Sequence, residues 1–230
     1  MLRLRVRLFF TVEGPARFLS QLDFLRNFER AARRAGLPLS MSEGYNPRPR
    51  FSFPSARPVG VESWREVCEI DLCAPTDLDS LVAELNSELP LGVRITEAAF
   101  SPPHEKARIE AVRYCFRFPS LEAAASVSVE AFLASGEAVV ERREGGKLVD
   151  VRRFVQSMKL AGDTLEAQVA FETTGSVRPE EILRAVKYAG DAADVGISRE
   201  VVCAASRGIA GQAKRARGRQ ARVRRRQANR

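Results

Sequence analysis

Residues 14–64 read GPARFLSQLDFLRNFERAARRAGLPLSMSEGYNPRPRFSFPSARPVGVESW, and the fold turns on how this stretch divides. It opens on a turn at Gly14-Pro15. Ser20 and Asp23 have the spacing of a capping box, in which each side chain satisfies a free N–H at a helix start. Leu19 and Phe24 stand at the two positions of a hydrophobic staple. Leu22, Leu25, Phe28, Ala32 and Ala35 recur as one buried helical stripe, and Gly36 supplies the residue past the last turn. The spacing predicts a helix over 21–35. Beyond Pro38, prolines 47, 49, 54 and 58 each lack the donor a sheet ladder needs. That leaves an irregular arm, over 44–60, or an edge strand.

Alternating strands flank this stretch. Residues 3–10 place Leu4, Val6, Leu8 and Phe10 on one face and Arg3, Arg5, Arg7 and Phe9 on the other. Residues 65–73 place Cys68, Ile70 and Leu72 opposite Val67, Glu69, Asp71 and Cys73. Thr76 and Asp79 offer a second capping box before a helix carrying Leu78, Leu81, Val82, Leu85 and Leu89. After Gly92 comes a strand with Val93 and Ile95 inward. Strand, helix, arm, strand, helix, strand is the ferredoxin-like order, with two helices on one sheet face.

Ser101-Pro102-Pro103 reads as a linker. The plan then repeats in element order. A strand over 109–118 faces Val112, Tyr114, Phe116 and Phe118 inward, opposite Arg113, Cys115 and Arg117. A helix is expected over 121–135, ending at Gly136. A strand over 137–143 turns at Gly145-Gly146, and 155–160 and 164–172 form a hairpin about Ala161-Gly162-Asp163. Asp150–Phe154 fits a strand or a helical turn equally. Pro179 begins a helix carrying Ile182, Leu183, Val186 and Ala189, closed by Gly190, and Ile197–Cys203 is the last strand. The fold class is therefore α+β: two tandem ferredoxin-like domains over 1–101 and 107–205.

Charge separates a third region. Ten of the 37 basic residues and none of the 29 acidic ones lie from Arg207 onward. That leaves 27 against 29, so the body carries −2 of the formal +8. Residues 206–230 cannot bury a core and are expected to be a disordered tail attracted to polyanions by counterion release. No apolar run approaches the roughly 20 residues of a membrane span, and the alternating N-terminus is unlike a signal peptide. Four cysteines fit a reducing cytosol better than a disulfide scaffold.

Catalytic signals are scarce. The one histidine, His104, sits in the linker. Cys68 and Cys73 point to opposite faces of one strand. P-loop, GxGxxG, GxSxG and CxxC patterns are missing, so neither a metal nor a cofactor is expected. In a ferredoxin-like sheet Arg5 and Arg7 share the helix-free face with Glu69 and Asp71, and Arg113 and Arg117 share it with Glu166 and Glu172. This describes either a basic face for nucleic acid or ordinary cross-strand charge pairing. The arm is richer. Tyr45, Asn46, Arg48, Arg50, Phe51 and Phe53 are interleaved with prolines, and arginines bind phosphates while aromatic rings stack on bases. The same residues also fit a surface loop with its phenylalanines in the core. Arg26, Arg30 and Arg33 line an exposed face of the first helix.

These residues carry a family resemblance. Leu4-Arg5-Val6-Arg7, Gly14-Pro15-Ala16-Arg17-Phe18-Leu19-Ser20-Gln21-Leu22-Asp23, Arg33-Arg34-Ala35-Gly36-Leu37-Pro38 and Ser42-Glu43-Gly44-Tyr45-Asn46-Pro47-Arg48-Pro49 resemble the radical SAM-linked protein family. This is an uncharacterised bacterial family fused to, or encoded beside, radical SAM proteins. Thinner likeness at Val149-Asp150-Val151-Arg152 and Ser176-Val177-Arg178-Pro179-Glu180-Glu181 extends it to about residue 204. Gln21 stands where the family commonly has His. The resemblance implies a bacterial, cytoplasmic protein with a radical SAM partner; lacking CxxxCxxC, this chain would be the companion. At fold level the body is also similar to the CRISPR-associated RAMP RNA-binding proteins, an analogy that does not fix function.

The leading expectation is a non-catalytic accessory that binds tRNA or rRNA for a radical SAM modifying enzyme. Its RNA- or partner-binding set is Arg17, Gln21, Asp23, Arg26, Tyr45, Asn46, Arg48 and Arg50, with Lys214, Arg215, Arg217, Arg219, Arg224, Arg225 and Arg226 in the tail. The alternative is a protein-interaction module in which the arm docks on the enzyme without RNA. A metal-independent ribonuclease using Tyr45 and arginines ranks last, because no general base is evident.

Overall fold

The computed structural model describes residues 3–102, 105–142, 146–172 and 176–204. The chain is mixed α+β, with one large, mostly antiparallel sheet and few helices. The N-terminal half contains β1 (Leu4–Val12), α1 (Gln21–Arg34), the short β2 (Phe51–Ser52), β3 (Glu62–Leu72), α2 (Leu78–Glu88) and β4 (Val93–Ser101). The C-terminal half contains β5 (Ile109–Arg117), α3 (Leu121–Ala125), α4 (Val129–Ala134), β6 (Val139–Glu141), β7 (Leu148–Asp150), β8 (Val155–Ala161), β9 (Thr164–Ala170), α5 (Pro179–Ala185) and β10 (Gly196–Cys203). The sheet runs β4-β1-β3-β10-β5-β9-β8, with β2 on β3, while β6 and β7 form a separate ribbon.

One parallel pair joins the halves. Ser198, Arg199 and Glu200 of β10 lie against Glu62, Ser63 and Arg65 of β3, and β2 occupies the same edge farther along, at Glu69 and Ile70. The cores divide accordingly. Val6, Leu8, Phe10, Phe24, Phe28, Ile70, Leu81 and Leu85 fill one cluster. Tyr114, Phe116, Phe132, Leu165, Ile182 and Val201 fill the other, which also takes Phe9 and Val67 from the first half.

The alternation in β1 places its apolar face as expected, but the opposite face is not open. Arg7 and Glu69, each 1% exposed, meet at 3.1 Å. Arg5 meets Asp71 at 2.8 Å, and Arg3 also pairs with Asp71. The connecting segment closes over them, with Ala107 N–H donating to Glu69 Oε1 at 2.8 Å. Cross-strand pairing therefore takes these charges, because β1 and β3 are in register at Arg5↔Asp71 and Arg7↔Glu69. In the C-terminal half the register sets Glu166 opposite Cys115 and Gln168 opposite Arg113, so Glu166 shares the face of Arg113 as expected; the ion pair of Arg113 is with Glu200, and Glu172 pairs with Arg153.

Several local expectations shift. In α1, Phe24, Phe28, Ala31 and Ala32 form the buried stripe, and Leu22 is exposed. Asp77, not Thr76, caps α2 by accepting from Ser80 N–H at 2.8 Å. The helix expected over 121–135 is two short helices. Val127 is buried between them and Ser128 N–H donates to the Val186 carbonyl at 2.9 Å, which interrupts the helical ladder. The helix starting at Pro179 ends at Ala185, and Lys187 at φ 60° takes the left-handed position expected of Gly190. Cys68 is buried within β3, and Cys73, one residue past its end, is exposed. Among the described residues no helix is long and apolar enough to cross a membrane.

Candidate functional site: a pinned finger and a cationic cleft

The arm over 44–60 resolves into a finger and a return segment. Two short legs pair with each other: Ser42 N–H donates to the Arg48 carbonyl at 2.7 Å and Arg50 N–H to the Ser40 carbonyl at 3.0 Å. Both legs are fastened to one residue of β3, since Ser40 N–H donates to the Asp71 carbonyl and Asp71 N–H to the Arg50 carbonyl. Pro49 sits opposite Met41 at an edge, where a missing donor is tolerated. Below the legs, Phe51 and Phe53 are packed into the core. The Phe53 ring lies 5.4 Å from that of Phe28 and Phe51 6.3 Å from it, both edge-on. These two rings are not available to stack on a base.

The tip is different. Tyr45 is fully exposed, and Asn46 and Arg48 are also exposed. The Arg48 guanidinium has no partner among the described residues; its backbone alone is engaged, the N–H by Ser42 Oγ at 2.9 Å and the carbonyl by Ser42 N–H. Arg50 is partly committed to the finger itself, with Nε–H donating to the Met41 carbonyl at 3.0 Å and Glu43 3.7 Å away.

The residues expected from α1 and the turn before it stand apart from the tip. Arg17 pairs with Glu62 at 3.0 Å and lies over the Phe18 ring. Asp23 accepts from Ser20 Oγ–H at 2.7 Å and lies 3.9 Å from Arg26. Gln21 is the half-buried first residue of α1. Phe18 and Leu22, 60% and 50% exposed, add an apolar surface beside Arg17. Lys214, Arg215, Arg217, Arg219, Arg224, Arg225 and Arg226 lie outside the described residues, as does His104.

A second feature had no signal in the sequence. Between the return segment Ser55–Val59 and the C-terminal half lies a cavity of about 570 Å³ lined by Arg57, Arg142, Arg178, Arg184 and Arg199. Arg57 is buried and held by carbonyl oxygens. Nη1 donates to those of Arg17, Pro58 and Val61, and Nη2 to that of Leu19, at 2.6–3.0 Å. Burial lowers its pKa to about 10, with the Glu66 charge opposing the shift and that of Arg199 reinforcing it. Arg199 is held by Glu66, and Arg142 by Glu181 at 2.7 Å. Arg184 donates from Nε to the Glu180 carbonyl at 3.2 Å, from Nη1 to that of Glu141 and from Nη2 to that of Arg142 at 3.3 Å. These arginines are up to 142 residues apart, so no spacing pattern could have gathered them.

The sequence model of a family described as "Uncharacterized protein conserved in bacteria (DUF2344)" matches residues 5–179. No curated protein matches. Among solved structures, an unknown protein from Galdieria sulphuraria is similar at 16% identity and a TM-score of 0.24, over 87% of this chain and 99% of that one. A putative glycine cleavage system transcriptional repressor is similar at 8% identity and a TM-score of 0.27, over 89% and 100%.

Proposed function

The chain belongs to DUF2344, a family of uncharacterised proteins conserved in bacteria, and we propose that it is a non-catalytic, RNA-binding accessory of a radical SAM enzyme. The observation that carries the reading is the finger tip. Tyr45 is fully exposed and the Arg48 guanidinium has no partner among the described residues, on a loop whose legs are already fixed by backbone hydrogen bonds. An exposed aromatic ring and a guanidinium three residues apart on one loop suit single-stranded RNA, one for stacking and the other for phosphate. Fixing the legs in advance lowers the entropy lost on binding.

The partner and a cytoplasmic location come from the radical SAM-linked motifs, which include the finger sequence Ser42–Pro49. The order β4-β1-β3-β2 in one half and β10-β5-β9-β8 in the other supports reading the body as two ferredoxin-like units, RAMP-like by analogy. A tRNA or rRNA awaiting modification is the RNA class this reading implies.

Crosslinking the protein to RNA in cells and sequencing the attached RNA tests it. The expected result is a defined RNA, with crosslinked peptides spanning residues 42–50. Crosslinks confined to the tail would refute a role for the finger. One observation favours the second reading, docking on the enzyme without RNA: the exposed Phe18 and Leu22 beside Arg17. Co-purification with the radical SAM protein that survives RNase but is lost on changing Tyr45 or Asn46 would select it.

A further inference from the structure

The cleft between the halves has a charge imbalance that its own residues do not resolve. Of its five arginines, Arg199 and Arg142 have carboxylate partners in Glu66 and Glu181. Among the described residues Arg57, Arg178 and Arg184 have no carboxylate within ion-pair distance, and Glu180 is the only acid of those lining the cavity. Arg57 is the telling case. A buried guanidinium is costly unless its charge is compensated, and carbonyl dipoles do this less well than an anion. Its Nη1 and Nη2 reach four carbonyl oxygens, while Nε–H, one of the five donors of a guanidinium, has no acceptor among the described residues. The Arg57 side chain thus remains a cation at a cavity wall with donor capacity to spare.

We propose that this cleft binds a phosphate-bearing ligand of about mononucleotide size, its phosphate held by Arg57, Arg178 and Arg184. Guanidinium groups match phosphate oxygens in charge and in hydrogen-bond geometry. The volume, about 570 Å³, falls within the range of small-molecule sites. Tyr114, whose phenol is raised above its ordinary value by burial, lies on the wall with Phe171, so the cleft offers aromatic as well as cationic surface. Both halves contribute, so an occupied site ties the return segment Ser55–Val59 to the C-terminal half. None of these residues belongs to the finger, and the proposal does not depend on how RNA is bound.

The phosphate could be free or stand at the 5′ end of an RNA, and one experiment separates these sources. Calorimetric titration of the full chain uses a nucleoside 5′-monophosphate, the nucleoside without phosphate, and RNA trinucleotides with 5′-phosphate or 5′-hydroxyl. One saturable site for the monophosphate and none for the nucleoside is the expected result. Arg178→Ala with Arg184→Ala should weaken that site tenfold or more, whereas Tyr45→Ala with Arg48→Ala leaves it unchanged. A trinucleotide that binds tighter than the monophosphate, and only with its 5′-phosphate, supports an RNA end as the source; one that binds no tighter supports a free ligand. Arg57→Gln, checked for folding by circular dichroism, should abolish the site, and if it does not fold the Arg178 and Arg184 pair decides. Absence of a one-to-one site for the monophosphate, or equal affinity in the Arg178 and Arg184 variant, overturns the proposal.

Discussion

Arg199 Nε and Nη2 meet the two oxygens of Glu66 at 2.6 and 2.7 Å, a bidentate and almost fully buried ion pair that fastens β10 to β3. Arg199 also donates to the Ala56 carbonyl at 3.1 Å, so the same guanidinium holds the return segment behind the finger. Removing one partner leaves the other charge buried and unpaired. Arg199→Met should therefore cost about 3–5 kcal/mol in urea unfolding, and Arg199→Met with Glu66→Met should recover much of it. A single variant within about 0.5 kcal/mol of the parent would show that the pair does not join the halves.

The pairs beneath β1 predict an acid limit. Burial would raise the Asp71 carboxyl, but hydrogen bonds from Arg5 and Arg3, and their charges, outweigh it and hold the group below its ordinary 3.8. A carboxyl depressed in the folded state binds its proton more readily when unfolded. Its contribution is thus complete above the unfolded value and is lost as pH falls through the folded one. Urea midpoints should decline below about pH 4, and Asp71→Asn should flatten part of that decline. An identical acid slope in the variant would contradict the assignment.

How much of this was legible in the sequence differed by element. The alternation in residues 3–10 fixed the inward side chains of β1, and Ser20 marked the start of α1, because both signals are local and act within one element. The spacing of Thr76 and Asp79 set the cap of α2 one residue early, and Asp77 holds it. The break at Val127 was hidden, since it depends on a hydrogen bond from Ser128 to Val186. The exposure of Arg5 and Arg7 could not be read at all. Their alternation says which face they share, but not that Ala107 closes over it. The cleft was invisible for the same reason, its arginines being assembled by the pairing of β10 with β3.

Lys187 supplies a backbone prediction. At φ 60° it occupies a conformation costing a non-glycine residue about 1–2 kcal/mol, part of which glycine returns through its freer unfolded chain. Lys187→Gly should stabilise the protein by about 0.5–1 kcal/mol in thermal or urea unfolding. A loss of stability would show that the Lys187 side chain contributes more than its backbone costs.

The finger divides cleanly between base and tip. Phe53→Ala removes a ring packed on Phe10 and Phe28 and should destabilise by an amount approaching the ~3–5 kcal/mol of a buried phenylalanine. Tyr45→Ala touches nothing in the fold and should stay within about 0.5 kcal/mol of the parent. Comparable losses in the two variants would mean that the tip is packed and not presented.

The most direct measurement is RNA affinity by fluorescence anisotropy across a salt series, on a chain ending at residue 204 so that the basic tail makes no contribution. The account predicts saturable binding to single-stranded RNA and at least a tenfold loss on Tyr45→Ala with Arg48→Ala. The slope of log K against log salt should also fall by about 0.7 for the phosphate contact removed. Affinity and slope that stay unchanged in that variant, or binding that vanishes with the tail alone, would contradict it.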